Sequence, residues 1–437
     1  MSDATLTTAS DPVIDDRVRG FPAGHAALGL GAIGDQGWKP FDGAMSLPLI
    51  SLDETAFANN VDLMMTYVRE QGVEIAPHAK TPMSPAIAAR LVEAGAWGVT
   101  VADIRQASVM LRAGFRRLIL ANEIGGPAAA RRLARLVSAY PDAALSIFVD
   151  SREMMESLAS AWSASADLPP LGLLVELGAA RGGLRSGEAA LQLAEAILER
   201  ETDTFRLAGV AAYEGAAATP DAAETALRIS ALVERTATLF SELRQRLGPE
   251  RPMIVTAGGS VYFDMVVRGL KPVVAADQNA VLVLRSGAIF FHDHGIYERG
   301  LTGLDNRSGF VIGGKAVSAA TGFRPALRVW AEVLSRPEPG LAVCGMGLRD
   351  VAADQGLPRP LAFYRDGVRT ALSKTVRVTA LNDQHAFVSL GDGVDLHVGD
   401  VVEFGISHPC TCLDRHAILY GLDDDHRVVS AYLTSFG

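Results

Sequence analysis

The chain has 437 residues, 49% of them hydrophobic and 21% charged, with a formal charge of −10. That is ample for a large core, in two or three domains or in one barrel with an appended domain. The acidic balance argues against nucleic acid or an anionic membrane as main partner. No apolar run is long enough to span a bilayer. The N-terminal stretch carries Asp3, Asp11, Asp15 and Asp16 and no hydrophobic segment, so a secretory signal is not expected. The three cysteines, Cys344, Cys410 and Cys412, do not make a disulfide framework. A soluble cytoplasmic protein is the expectation.

Residues 1–45, rich in glycine and proline, read as an arm packed on a later domain or on a partner subunit. From there to 295 short apolar runs alternate with amphipathic stretches. The runs are 73–80, 97–103, 117–123, 144–150, 171–178, 207–215 and 253–260. Ser84 and Pro85 read as N-cap and first helical residue of 87–94, which Gly95 stops. Asp103 caps 104–113, with Gly114 as its stop. Ser151 and Ser186 open two more helices, and 220–247 fits another. Regular β-then-α order predicts parallel strands wrapped by helices. Seven such units in a row favour a closed (β/α)8 barrel over 46–295. The eighth strand is either 281–291 or the leading run 47–53. Beyond 295 the runs 309–312, 326–333, 341–343, 375–381, 386–390 and 401–404 are β-like and helical periodicity fades. A mostly antiparallel β domain over 296–437 is expected.

Lys80, in Pro77-His78-Ala79-Lys80-Thr81, ends the first of these strands. A strand's C-terminal end faces the mouth of a barrel, where the active sites of this fold lie. Burial there lowers an amine's pKa and makes it an imine-forming nucleophile. The bland reading is a surface lysine. After the seventh run, Gly258, Gly259 and Ser260 let backbone N–H groups and a hydroxyl cradle a phosphate. A Gly-Gly turn is otherwise common. Arg181 follows another strand end and could pair with a pyridine nitrogen or a carboxylate, or form a salt bridge to Glu176. Tyr213 and Glu214 end the next strand, and at most one of two neighbours should point inward. His408 and Cys410, two apart, share one face of an extended strand and suit a divalent metal, zinc above all. Cys412 continues that face, and His385 could join from another strand. An ordinary turn with a buried cysteine is the plain alternative.

Taken together, Pro77–Thr81, Arg181-x-Gly183, Gly258-Gly259-Ser260, Arg285–Gly287 and Ser407-His408-Pro409-Cys410 resemble the D-threonine aldolase and D-serine dehydratase family. These are pyridoxal-phosphate enzymes of the alanine-racemase fold type, a barrel followed by a β domain, and the resemblance covers 45–437. It implies that Lys80 carries the cofactor as a Schiff base and that Gly258, Gly259 and Ser260 hold its phosphate. It also implies that Arg181 faces the pyridine nitrogen, with His78 and Tyr213 beside the cofactor, and that His408 and Cys410 bind a divalent metal. The family's dehydratases look like His-x-Cys proteins, its aldolases more often His-x-Asp. The implied activity is therefore a metal-assisted D-serine dehydratase (D-serine deaminase) releasing 2-oxo acid and ammonia. The alternative is retro-aldol cleavage of a D-3-hydroxyamino acid to glycine and an aldehyde. A homodimer is expected by the same analogy. A racemase would not need His408 or Cys410, a cofactor carrier would lack the β domain, and a cofactor-free binding module would never turn yellow with pyridoxal phosphate.

Overall fold

The computed structural model describes residues 11–164, 167–259, 261–391 and 393–436. Eight parallel strands form the first layer: β1 (Glu74–Ile75), β2 (Val99–Val101), β3 (Arg117–Leu120), β4 (Ala144–Val149), β5 (Leu171–Leu177), β6 (Phe205–Ala212), β7 (Met253–Ala257) and β8 (Ala280–Leu284). From β2 onward each pairs with the next, and β8 pairs with β1. Past the end of β1, Ala79 N–H donates to Thr100 O at 2.8 Å and Thr100 N–H to Pro77 O at 3.0 Å, which closes the (β/α)8 barrel. Ile119, Phe148, Leu174, Ala211 and Val283 fill the interior. Their neighbours Leu118, Leu120, Ile147, Val149, Leu173 and Val175 join the larger core beneath the helices. This alternation is the period-two signature of a strand buried on both faces.

The helices start where their caps are. Asp103 accepts from Gln106 N–H at 2.8 Å, Ser151 from Met154 N–H at 3.4 Å, Ser186 from Ala189 N–H at 3.2 Å and Asp221 from Glu224 N–H at 2.7 Å. Ser84 departs from expectation. Its hydroxyl makes no cap bond and is buried without a partner, and Pro85 alone marks the start of Pro85–Glu93.

The run 47–53 is not the eighth barrel strand. Its strand Leu49–Asp53 pairs antiparallel with β9 (Leu327–Glu338), outside the barrel. There it joins β10 (Leu341–Cys344), β11 (Arg359–Arg365), β12 (Val368–Ala371), β13 (Arg377–Leu381), β14 (Ala386–Ser389), β15 (Val401–Gly405), β16 (Ile418–Leu422) and β17 (Val428–Leu433). The main path runs β12-β11-β15-β9-β10-β14-β13 and is antiparallel throughout. Only the pairing of β16 with Leu49–Asp53 is parallel. Residues 11–45 set Phe21, Ile33, Trp38 and Met45 against Trp330, Tyr364 and Tyr420 in a separate apolar cluster. Helical structure does not stop at 295, because Ile296–Asn306 is a helix with Tyr297, Leu301 and Leu304 buried. Among the described residues no helix is long and apolar enough to cross a membrane.

Candidate active site

Strand alternation decides which side chains reach the barrel mouth. The interior residues Ala76, Ile119, Leu174, Ala211 and Val283 are followed, at two- and four-residue steps, by His78 and Lys80, Ala121 and Glu123, Glu176, Tyr213, and Arg285. Of these, His78, Lys80, Ala121, Tyr213 and Arg285 line a cavity of about 1200 Å³, together with Arg181, Gly259, His408 and Cys410. Gly258 stands one residue behind its wall, and Ser260 lies outside the described residues.

The Lys80 amine makes no hydrogen bond or salt bridge among the described residues. Burial lowers its pKa; Cys410 nearby opposes this, and Arg181 and Arg285 reinforce it. Burial also holds His78 neutral, well below the usual imidazole range, and its Nδ1 is buried without a partner. Arg285 is the deepest cation. It donates to Thr256 Oγ1 and to Ala212 O, each at 2.7 Å, and lies 5.0 Å above the Phe148 ring. Gly287, two residues on, must lack a side chain, because a Cβ there would stand 2.6 Å from His78 O.

Arg181 forms no salt bridge with Glu176 among the described residues; its guanidinium stacks 4.8 Å from the Tyr213 ring centre. Glu176 instead faces Glu123. Burial, then a hydrogen bond and repulsion from Glu123, raise its pKa to about 8, so Glu176 keeps its proton at neutral pH.

Tyr213 and Glu214 both line the cavity, against the expectation for neighbours on a strand. Tyr213 continues the extended phase of β6, whereas Glu214 opens the short 3-10 turn Glu214–Ala217, so strand alternation stops at Glu214. The Glu214 carboxylate accepts from Gly258 N–H at 3.0 Å and from Gly259 N–H at 2.5 Å. Gly258, at φ +95, makes the left-handed turn that presents both donors. These two N–H groups therefore already hold an anion supplied by the chain itself.

His408 and Cys410 share the cavity, but not for the reason their spacing suggests. His408 is extended at φ −156 and caps the helical turn Pro409–Leu413, to which Cys410 belongs. Two residues along a helical turn do not share a face, so Cys412 turns away into the core, where burial raises its thiol to about 12. His385 lines a separate depression beside Leu348 and Asp383. The partner that sequence reasoning missed is Asp354. Its carboxylate takes His408 Nδ1 at 2.7 Å and the Thr411 hydroxyl at 2.8 Å. Burial lowers the His408 pKa, but its hydrogen bonds to Cys410 and Asp354 prevail and raise it to about 9. Thr81 Oγ1 lies 3.2 Å from Cys410 Sγ, which joins the lysine segment to the histidine-cysteine segment. No group of three or more His, Cys, Asp or Glu side chains among the described residues is placed to hold a metal ion.

Residues 52–264 match the family described as "Alanine racemase, N-terminal domain" and residues 326–422 match "Putative serine dehydratase domain". In both segments, and in their order, the chain is similar to the D-threonine aldolase and D-serine dehydratase family. Members of this family are pyridoxal-phosphate-dependent lyases. A D-threonine aldolase of Arthrobacter sp is 26% identical over 372 residues, 84% of this chain and 87% of that protein. A D-threo-3-hydroxyaspartate dehydratase of Delftia sp. is 25% identical over 261 residues, 55% of this chain and 67% of that protein. The crystal structure of D-threonine aldolase from Filomicrobium marinum superposes with a TM-score of 0.70 at 25% identity, covering 90% of this chain and 95% of that one. The family's barrel and β-domain order is the architecture described above.

Proposed function

We propose that the cavity binds pyridoxal phosphate at Lys80 and a divalent metal at His408 and Cys410. The chain then acts on D-3-hydroxyamino acids, first as a D-serine dehydratase yielding 2-oxo acid and ammonia. The observation that carries this reading is a half-buried amine, without a hydrogen-bond or ion-pair partner among the described residues, in one cavity with an imidazole and a thiol, the two segments touching through Thr81 and Cys410.

The residues present suit both groups. Lys80 supplies an amine whose lowered pKa favours the neutral nucleophile. Because Glu214 already engages Gly258 and Gly259, those glycines shape the loop. The phosphate is then left for Ser260 and the N-terminus of Phe263–Ala275, whose first N–H groups have no intrahelical acceptor. Of the two guanidiniums nearest the barrel strands, Arg285 is pinned at the floor of the mouth, and we place it rather than Arg181 against a ring nitrogen. Arg181, which among the described residues is held by the Tyr213 ring, would then be available for the substrate carboxylate. Neutral imidazole and thiolate suit zinc. His408 binds through Nε2, since Asp354 occupies Nδ1.

When bound, the cofactor supplies an electron sink that acidifies the substrate's α-hydrogen, and the metal supplies Lewis acidity at its β-oxygen. Lys80 would serve as the base for the α-hydrogen, and burial, which lowers its pKa, favours that role. His78 stays neutral beneath it. Glu176, protonated at neutral pH, adds no negative charge beside Arg285 and Arg181. Retro-aldol cleavage is the second reading, favoured by the D-threonine aldolase relative.

The test supplies purified protein with pyridoxal phosphate and zinc, then D-serine or D-threonine, with a chelated control. Chelator-sensitive 2-oxo acid and ammonia are expected. Glycine and aldehyde would transfer the assignment to the aldolase, and no product from either substrate would refute both.

A further inference from the structure

The lysine segment and the histidine-cysteine segment are joined at two points. The first is direct, with Thr81 Oγ1 at 3.2 Å from Cys410 Sγ. The second runs through the residues that follow β17. Ser435 N–H donates to Met83 O at 2.8 Å, and Met83 N–H donates to Ala79 O at 2.8 Å. One residue earlier, Thr434 N–H donates to Ala417 O at 3.0 Å and the Thr434 hydroxyl to His416 O at 2.5 Å. The turn that carries Lys80 is therefore tied twice to the segment that carries His408 and Cys410.

Thr81 is the closer tie. It is 1% exposed, and among the described residues its hydroxyl has Cys410 Sγ as its partner. His408 also hydrogen-bonds Cys410. Asp354 occupies His408 Nδ1, so that bond uses Nε2, the nitrogen left for a metal. Metal loading would replace the His408 bond and leave the Thr81 bond in place. A metal-bound cysteine is a thiolate with no proton to give, so the Thr81 hydroxyl must then be the donor. Threonine is stiff at χ1, and the direction of its donor follows the backbone of the 79–83 turn. Lys80 shares that backbone, so an occupant of Lys80 also fixes the residue that faces Cys410.

We propose that Thr81 is a positioning residue through which cofactor binding and metal binding are coupled, each making the other tighter. The inference rests on the proposed placement of pyridoxal phosphate at Lys80 and of the metal at His408 and Cys410. Whichever group binds first orders the Thr81–Cys410 contact, and the second meets it already ordered. Such coupling is reciprocal, so one factor describes both directions. The competing account is that Thr81 and Cys410 touch only as packing.

The experiment measures the zinc affinity of the full chain by competition with a chelator, with and without bound pyridoxal phosphate. The cofactor should tighten zinc binding at least about fivefold. In reverse, zinc should tighten cofactor uptake, followed by absorbance, by the same factor. Thr81→Val keeps the shape and removes the donor; it should weaken zinc about tenfold and abolish the coupling. Thr81→Ser keeps the hydroxyl and should retain both. A zinc affinity unchanged by the cofactor in the unmodified protein overturns the proposal. So does coupling that survives in Thr81→Val, or an equal loss in Thr81→Ser, which would make the contact one of packing. Failure to bind zinc or cofactor at all refutes the placement of the two groups and the coupling with it, whereas tight but independent binding refutes the coupling alone.

Discussion

Replacing Glu176 by glutamine should make the cofactor-free protein gain stability over the parent as pH rises. Glu176 is 2% exposed, and its carboxyl keeps a proton until about pH 8, first because it is buried and then because Glu123 is beside it. In the unfolded chain the same group ionises near its ordinary value of 4.5. A folded pKa above the unfolded one gives a contribution that is complete below about 4.5 and declines until pH passes about 8. Within that window the parent loses up to about 1.4 kcal/mol for each pH unit from this group. Glutamine cannot ionise, yet its amide can still donate to Glu123, so Glu176→Gln lacks this slope. Urea unfolding of both proteins at pH 6, 7, 8 and 9 reads the difference directly. The variant's advantage should grow between pH 6 and 8 and then level off. Parallel pH profiles for parent and variant would refute this account.

Two further substitutions address how the site is held. Asp354→Ala frees the His408 ring and should weaken zinc binding about 10- to 100-fold in competition with a chelator; an unchanged affinity would mean that Asp354 does not orient the ring. Gly287→Ala places a Cβ 2.6 Å from His78 O and 2.8 Å from His78 N, backbone atoms that cannot swing aside. It should cost about 1–3 kcal/mol and reduce pyridoxal phosphate uptake, since Lys80 is two residues from the displaced peptide. Normal urea midpoint and normal uptake together would show that the loop and the lysine strand are not in close contact.

Most of the barrel is legible in the sequence because its signals are local. Asp103, Ser151 and Ser186 cap the helices they were expected to open, and each β-like run from 73 to 260 contains a barrel strand. The choice of eighth strand is not local. The runs 281–291 and 47–53 are both apolar, and only the partner decides between them: Val283 and Leu284 find Glu74 and Ile75, whereas Leu49–Asp53 finds β9, far away in sequence. The β domain is harder for the same reason. β11 begins with Arg359 and Pro360, and the bend in its register beside Pro360 lets a proline stand where a regular strand would need its N–H.

The site shows why motifs found part of the chemistry and strand phase would have found more. Lys80, Arg181, His408 and Cys410 stand in recognisable local patterns, and the fold brings them to one cavity. Glu123 and Glu176 belong to no motif, but each lies two or four residues beyond an interior barrel residue, Ile119 for one and Leu174 for the other. Arg285 stands in the same relation to Val283. Once any interior position is fixed, alternation carries the inward direction to the strand's end, and a charged residue there must face the mouth. The rule fails where the backbone leaves the strand. Glu214 turns into the cavity because a 3-10 turn begins at it, and His408 and Cys410 converge on a helical turn. Asp354 is beyond either signal, since it reaches His408 across 54 residues of sequence. What a linear pattern can reveal is therefore the floor and mouth of the barrel, and what it leaves out are the loops of the second domain, such as the one that carries Asp354 to the His408 ring.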